Sequence, residues 1–139
     1  KRRVKLTLGK FRDLDETKAA DKLQRLVRQH KKVKATFASV GVIPPGKLYL
    51  GPVLNEFLYS IHLEVHESFN YPKDGFEQFA FGNWLPHLIL ADIQDREVLL
   101  EAFEFILSQF RPLSAEFDRV ALVRRVPDFK EIGSFKLRP

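Results

Sequence analysis

Apolar residues recur along this chain with two different periods, and these periods divide it into helices and strands. Three stretches repeat their apolar positions every three or four residues, which predicts amphipathic helices. The recurring positions are Ala19, Leu23, Leu26, Val27 and His30, then Leu54, Phe57, Leu58, Ile61, Val65 and Phe69, and finally Val98, Leu99, Ala102, Phe103, Ile106 and Phe110. Asp15 and Asp95 stand where the first and third helices need an N-cap.

Strand-favouring residues, several of them alternating with polar ones, fill most of the remaining chain. They predict strands at residues 4–9, 35–40, 48–50, 84–91, 117–126 and 129–137. The Gly-Val-Ile-Pro-Pro-Gly turn at residues 41–46 should join the second and third strands as a hairpin. Helices interleaved with such hairpins predict an α+β fold, with mainly antiparallel sheets packed against the helices.

Composition restricts the classes of protein to be considered. The 139 residues, 45% of them hydrophobic, suit a single domain spanning residues 1–139. A net charge of +5 favours anionic partners without identifying them. The absence of cysteine excludes disulfides, thiolate catalysis and cysteine-ligated metals. Because no apolar run approaches about 18 residues, we expect no membrane partner.

Two short segments carry the candidate chemistry. The segment at residues 84–91, Trp-Leu-Pro-His-Leu-Ile-Leu-Ala, places His87 in an apolar strand, and Val-Lys-Leu-Thr-Leu at residues 4–8 has the same alternation. In a strand, side chains two positions apart lie on the same face, so the residue two positions after the polar one shares its face in each segment. Taken alone, His87 is better explained as a packed histidine bonded to a backbone carbonyl, and Lys5 and Thr7 as solvated surface residues.

The two segments resemble the paired His-x-Thr or His-x-Ser strands of the two-histidine (2H) phosphoesterase superfamily, which includes 2'-5' RNA ligase-like proteins and cyclic nucleotide phosphodiesterases. The order of turn, strand, helix, Trp-x-Pro-His strand, helix and two closing strands also resembles that family, from residue 4 onward. Lys5 stands in place of the first histidine, and Ile89 in place of the second hydroxyl residue. The family's first strand-helix unit is expected to be lacking from residues 1–139.

The resemblance implies a two-lobed fold, with the two motif strands at corresponding places in two similar halves around a central groove. In that family two imidazoles act as acid and base on a phosphodiester, while the hydroxyls hold the phosphate. Neither metal nor cofactor is implied. Carried over to this chain, His87 and Lys5 become the catalytic candidates, and Thr7 and Lys5 the phosphate-binding ones. Because an amine stays protonated at neutral pH, Lys5 suits phosphate binding better than proton abstraction.

Two functions remain open at this point. The first is a cytoplasmic protein that acts on a cyclic or 2'-5' phosphodiester of a nucleotide or RNA, with activity weakened or lost. Its second acid/base group could also come from a missing N-terminal segment or another subunit. The alternative is a noncatalytic nucleotide- or RNA-binding module on the same fold, which the Lys5 and Ile89 substitutions favour.

The other histidines have competing interpretations. His62 and His66 stand four apart on the second helix, which is metal-ligand spacing, but Glu64 does not follow the first histidine as the zinc-protease motif requires. A packed His62 and a solvated His66 are the simpler prediction. We expect His30, at the end of the first helix, to contact the terminal carbonyls.

Basic and aromatic residues suggest a route for RNA. Basic clusters lie at residues 1–5, 31–34 and 124–125, and runs of this kind are usually solvated. The long loop at residues 70–83 carries Tyr71, Phe76, Phe79 and Phe81. If RNA follows the first cluster, these rings are candidates for stacking on its bases. No recognised RNA-binding signature supports that route.

Overall fold

The computed structural model describes residues 5–69, 77–80 and 82–139. It is an α+β fold, which confirms the predicted class. In chain order the elements are α1 Glu16–Val27, β1 Val33–Ile43, β2 Lys47–Pro52, α2 Glu56–Ser68, a 3-10 turn Glu77–Phe79, β3 Leu88–Asp92, α3 Arg96–Gln109, β4 Leu113–Phe117, β5 Arg119–Arg124 and β6 Lys130–Lys136.

The chain forms two compact units. The first comprises Lys1–Thr7, Ala35–Leu54 and Leu85–Ala115, and the second comprises Leu8–Lys34, Asn55–Trp84 and Glu116–Pro139. A four-stranded sheet in the order β3-β2-β1-β4 belongs largely to the first unit, together with α3. Strand β2 pairs antiparallel with both β1 and β3, so the predicted hairpin is confirmed.

The second unit packs two helices with a hairpin. Strands β5 and β6 pair antiparallel, and α1 contacts both of these strands and α2. The core of this unit consists of the apolar side chains that the helical periodicity selected, closed by one residue that follows β6. Its buried members are Ala19, Leu23, Val27, Ile61, Val65, Phe69 and Leu137.

Side-chain caps begin all three helices. The carboxylate of Asp15 accepts a hydrogen bond from the Lys18 amide at 3.1 Å, and the carboxylate of Asp95 accepts one from Val98 at 3.0 Å. Both caps were predicted. Asn55 caps α2 in the same way by accepting from the Leu58 amide at 2.8 Å. Each cap satisfies an amide that has no partner within its own helix.

Several strand boundaries differ from the prediction. Residues 5–10 form no regular element, so the strand predicted at 4–9 is wrong over its described part. Strand β3 begins only at Leu88, because Pro86 has no N–H to give to a ladder. Strand β1 continues through residues 41–43, which were assigned to the turn. Strand β5, Arg119–Arg124, confirms most of the strand predicted at 117–126, whereas β4, Leu113–Phe117, was not predicted.

Candidate active site

His87 lies immediately before β3, in the first unit, with its side chain partly exposed. Its Nδ1–H donates a hydrogen bond to the Leu85 carbonyl oxygen at 2.6 Å. A carbonyl can only accept, so Nδ1 must carry the proton. In the neutral ring the lone pair therefore lies on Nε2, which is the nitrogen able to take a proton from another molecule.

Tyr49 flanks this imidazole on the neighbouring strand. The two ring centroids are 5.9 Å apart and the planes meet at 71°, an edge-to-face contact. Tyr49 is also the direct cross-strand partner of Ile89, so Tyr49, Ile89 and His87 share one face of the sheet. The Ile89 side chain is 46% exposed there. It presents methyl groups where the second motif of the family would present a hydroxyl.

The same face continues across β1. In the β1–β2 register Gly41 is opposite Tyr49, and Ser39 is opposite Gly51. We call the surface that carries Ser39, Gly41, Tyr49, Gly51 and His87 the His87 face. Sequence reasoning did not single out Ser39 or Tyr49. The sequence does contain a signal for them, because both strands alternate with a period of two. Each has a hydroxyl residue and a glycine two positions apart, with Val40 between them in β1 and Leu50 in β2.

Lys5 and Thr7 belong to the same compact unit as His87, and both side chains are exposed. The sequence predicted one motif in each of two similar halves, and this arrangement is wrong for the two units found. The backbone at residues 5–10 adopts no regular element, so the strand alternation that related Lys5 to Thr7 does not apply. Their roles in a site stay predictions.

A second group of histidines lies buried in the second unit. His62 and His66 are 2% and 1% exposed, so the prediction of a packed His62 is confirmed and that of a solvated His66 is wrong. The Nε2–H of His62 donates to the Phe79 carbonyl at 2.7 Å, and that of His66 donates to the Leu8 carbonyl at 3.0 Å. The Trp84 ring stacks on His62 with centroids 4.1 Å apart.

Burial has a direct electrostatic consequence for this pair. Desolvation lowers the pKa of His62 and of His66 below the ordinary 6.5, because the charged imidazolium loses its hydration. The nearby His66 lowers the pKa of His62 further. Within the described residues, no group of three or more histidine, aspartate and glutamate side chains is arranged to hold a metal ion. The pair is best explained as part of the packed interior.

Three further candidates have structural positions. The ring of His30 bonds Glu64 through Nε2 and Oε2, while its backbone N–H donates to the Val27 carbonyl at the end of α1 at 3.1 Å. Phe79 is buried, which contradicts its predicted stacking on RNA bases. Arg124 donates to Glu16 at 3.0 Å and to Asp128, so this basic position is an ion-paired one.

The remaining candidates divide into exposed and undescribed positions. Lys31, Lys32 and Lys34 are exposed, as predicted. Residues 1–4, Tyr71, Phe76 and Phe81 lie outside the described residues.

In the part of the chain that the structure describes, none of the helices has the length and apolar character needed to cross a bilayer.

The comparisons with known proteins agree with the α+β domain described above. The search of curated proteins gives no match. The 2'-5' RNA ligase superfamily matches residues 5–128, a range that contains Lys5, Thr7 and His87. The match covers most of the chain, so the chain belongs to the 2'-5' RNA ligase superfamily.

Proposed function

We propose that this protein binds a cyclic or 2'-5' phosphodiester of a nucleotide or RNA at His87 and turns it over slowly or not at all. The observation that carries the proposal is the hydrogen bond from His87 Nδ1–H to the Leu85 carbonyl. It fixes the tautomer that leaves Nε2 as proton acceptor, on a partly exposed ring, in a chain of this superfamily.

The reaction that such a site supports is attack on phosphorus by water or a hydroxyl. Nε2 of His87 takes the proton from the attacking oxygen, or in the protonated ring gives one to the leaving oxygen. Hydrogen-bond donors around the non-bridging oxygens stabilise the charge that develops on them. Lys5 supplies a positive charge for the phosphate in this proposal, and Thr7 supplies a hydroxyl.

Two substitutions limit the expected rate. One positioned acid or base group contributes about 10²–10⁴ to the rate of such reactions. Lys5, where the family has histidine, is a cation that binds an anion well but accepts a proton poorly. Ile89 cannot donate a hydrogen bond, so one phosphate contact is missing at that position. Slow turnover follows from the two substitutions together.

Direct incubation tests this proposal. The purified protein is mixed with 2',3'-cyclic nucleotides and with a short RNA ending in a 2',3'-cyclic phosphate, beside the His87→Ala variant, and the linear products are measured. We expect turnover, or binding without turnover, that the variant loses. Turnover or binding that His87→Ala leaves unchanged would remove His87 from the site and overturn the proposal.

A noncatalytic nucleotide- or RNA-binding module is the second candidate. The observation that favours it is the exposed Ile89 side chain beside His87, because an open site that keeps its imidazole but lacks the hydroxyl can bind without reacting. Tight binding of the cyclic nucleotide, with its phosphodiester intact after prolonged incubation, would select this candidate over the enzyme.

A further inference from the structure

The His87 face carries the hydroxyl of Ser39, which lies in the same row across the sheet as His87. Strands β2 and β3 pair up to Leu50 opposite Leu88, so one further step along both chains places Gly51 opposite His87. On the other side of β2, Gly51 is the direct partner of Ser39. Ser39 on β1, Gly51 on β2 and His87 just before β3 therefore form one row, with a glycine at its centre.

Because Gly51 has no side chain, the Ser39 side chain can extend across it toward His87. The Ser39 Oγ lies so near the place where a Cβ on Gly51 would stand that the two could not both be present. Directly opposed Cβ positions in an antiparallel pair are about 4.5–5.5 Å apart, so this hydroxyl lies within about 8 Å of the His87 Cβ. Any side chain at position 51 would displace it.

The Tyr49 ring borders the space between the Ser39 hydroxyl and His87. One of its ring carbons lies 3.6 Å from the Cβ position of Gly51, while its hydroxyl end lies over Gly41. The Tyr49 ring also makes the edge-to-face contact with His87. A serine hydroxyl and an imidazole thus face a shared space that an aromatic ring borders, on an open sheet surface.

We propose that the Ser39 hydroxyl donates a hydrogen bond to a non-bridging phosphate oxygen beside His87, in place of the hydroxyl that Ile89 lacks. This inference rests on the proposed function. In a His-x-Thr strand the hydroxyl residue stands two positions along, about 6.6 Å from the histidine between Cα atoms. Ser39 lies two strands away from His87, roughly 9.5 Å between Cα atoms, and its hydroxyl shortens that gap by extending over Gly51. The exposed Ser39 side chain leaves it accessible to a ligand.

Four variants test the role of this hydroxyl, with 2',3'-cyclic AMP as the probe and its dissociation constant as the readout. Ser39→Ala should weaken binding about tenfold, the usual worth of one hydrogen bond to a charged group. Ser39→Thr, which keeps the hydroxyl, should bind close to wild type. Gly51→Ala should weaken binding like Ser39→Ala, because the new methyl group displaces the Ser39 hydroxyl. Ser108→Ala, an exposed serine on α3, is the matched control and should change nothing.

A rescue experiment makes the test specific for replacement of the missing hydroxyl. Ile89→Thr added to Ser39→Ala should restore most of the lost affinity, whereas Ile89→Thr in the wild-type background should add less. Thermal unfolding of each variant shows that it is folded. Equal affinity of Ser39→Ala and wild type, equal losses in Ser39→Ala and Ser39→Thr, or no rescue by Ile89→Thr would overturn the inference.

The outcomes separate the two proposals. If the wild-type protein binds the probe and His87→Ala does not, the proposed function stands, and the Ser39 variants alone decide this inference. If the wild-type protein does not bind any cyclic-phosphate probe, the proposed function fails and this inference fails with it.

Discussion

Ile89 and Tyr49 are direct partners across the β2–β3 pairing, and the Tyr49 ring meets the neighbouring His87 edge-on at 5.9 Å. An aliphatic side chain therefore occupies the position beside the imidazole where a hydroxyl would assist phosphate chemistry. The site keeps a proton-accepting nitrogen, but it lacks the hydroxyl of the second motif and has Lys5 in place of the other histidine. This combination accounts for the slow or absent turnover that we propose.

Restoring both family motifs should raise activity. The Lys5→His, Ile89→Thr double variant adds the second imidazole and the second hydroxyl, and we expect turnover of 2',3'-cyclic nucleotides to increase by about 10²–10⁴. Initial rates of the double variant, both single variants and wild type measure the effect. Equal rates in all four proteins would contradict the proposal that Lys5 and His87 act on the same phosphodiester.

The two nitrogens of His87 can be tested separately. In His87→Asn the side-chain amide can still donate to the Leu85 carbonyl, but nothing replaces Nε2 as a base. His87→Gln is the matched variant, since its longer amide reaches toward the Nε2 position without basicity. We expect both variants to lose turnover by about 10² or more while their thermal unfolding stays close to wild type. Activity that survives in His87→Asn would show that Nε2 has no part in the reaction.

The buried histidine pair should make stability depend on pH. The pKa values of His62 and His66 are lowered in the folded protein from 6.5, so the unfolded chain binds protons more readily. Their stabilising contribution is complete above pH 6.5 and is lost as the pH falls below it, by up to about 1.4 kcal/mol per pH unit for each histidine.

Urea unfolding between pH 5 and 8 measures this dependence. In the His62→Gln, His66→Gln double variant, the free energy of unfolding should change less steeply with pH below 6.5 than in wild type, whatever the overall loss of stability. An identical slope in both proteins would show that other groups control the acid sensitivity.

The core of the second unit should be sensitive to truncation. Ile61 is fully buried in the core of the second unit, so Ile61→Ala should lower the free energy of unfolding by about 2–5 kcal/mol. Val126→Ala is the control, because Val126 is 81% exposed and its truncation should change stability by less than about 0.5 kcal/mol. Urea denaturation compares the two. Similar losses in both variants would contradict the assigned core.

Local signals in the sequence predicted the helices well. The caps at Asp15 and Asp95 and the stripe through Ile61 and Val65 depend on residues within a few positions of one another, and the structure confirms them. His66 was misassigned as solvated although it follows His62 by one helical turn and stands next to Val65. Its burial depends on Leu8, which is distant in sequence and accepts its hydrogen bond.

The candidate site was harder to predict for the same reason. The Trp-x-Pro-His segment identified His87, but its neighbours Tyr49 and Ser39 lie 38 and 48 residues earlier in the chain. Only the sheet register brings them to one face. The family pattern directed attention to positions two residues along each motif. It gave no information about residues that stand across the sheet from the histidine.

A nucleotide titration followed by NMR of the histidine rings tests the central claim most directly. 2',3'-cyclic AMP is added to protein labelled in its four histidines, with the His87→Ala variant used to assign the resonance. Our account predicts saturable shifts of the His87 ring, while the buried His62 and His66 rings stay unchanged. A His87 resonance that does not move at saturating nucleotide, or that moves no more than those of the buried pair, would contradict the account.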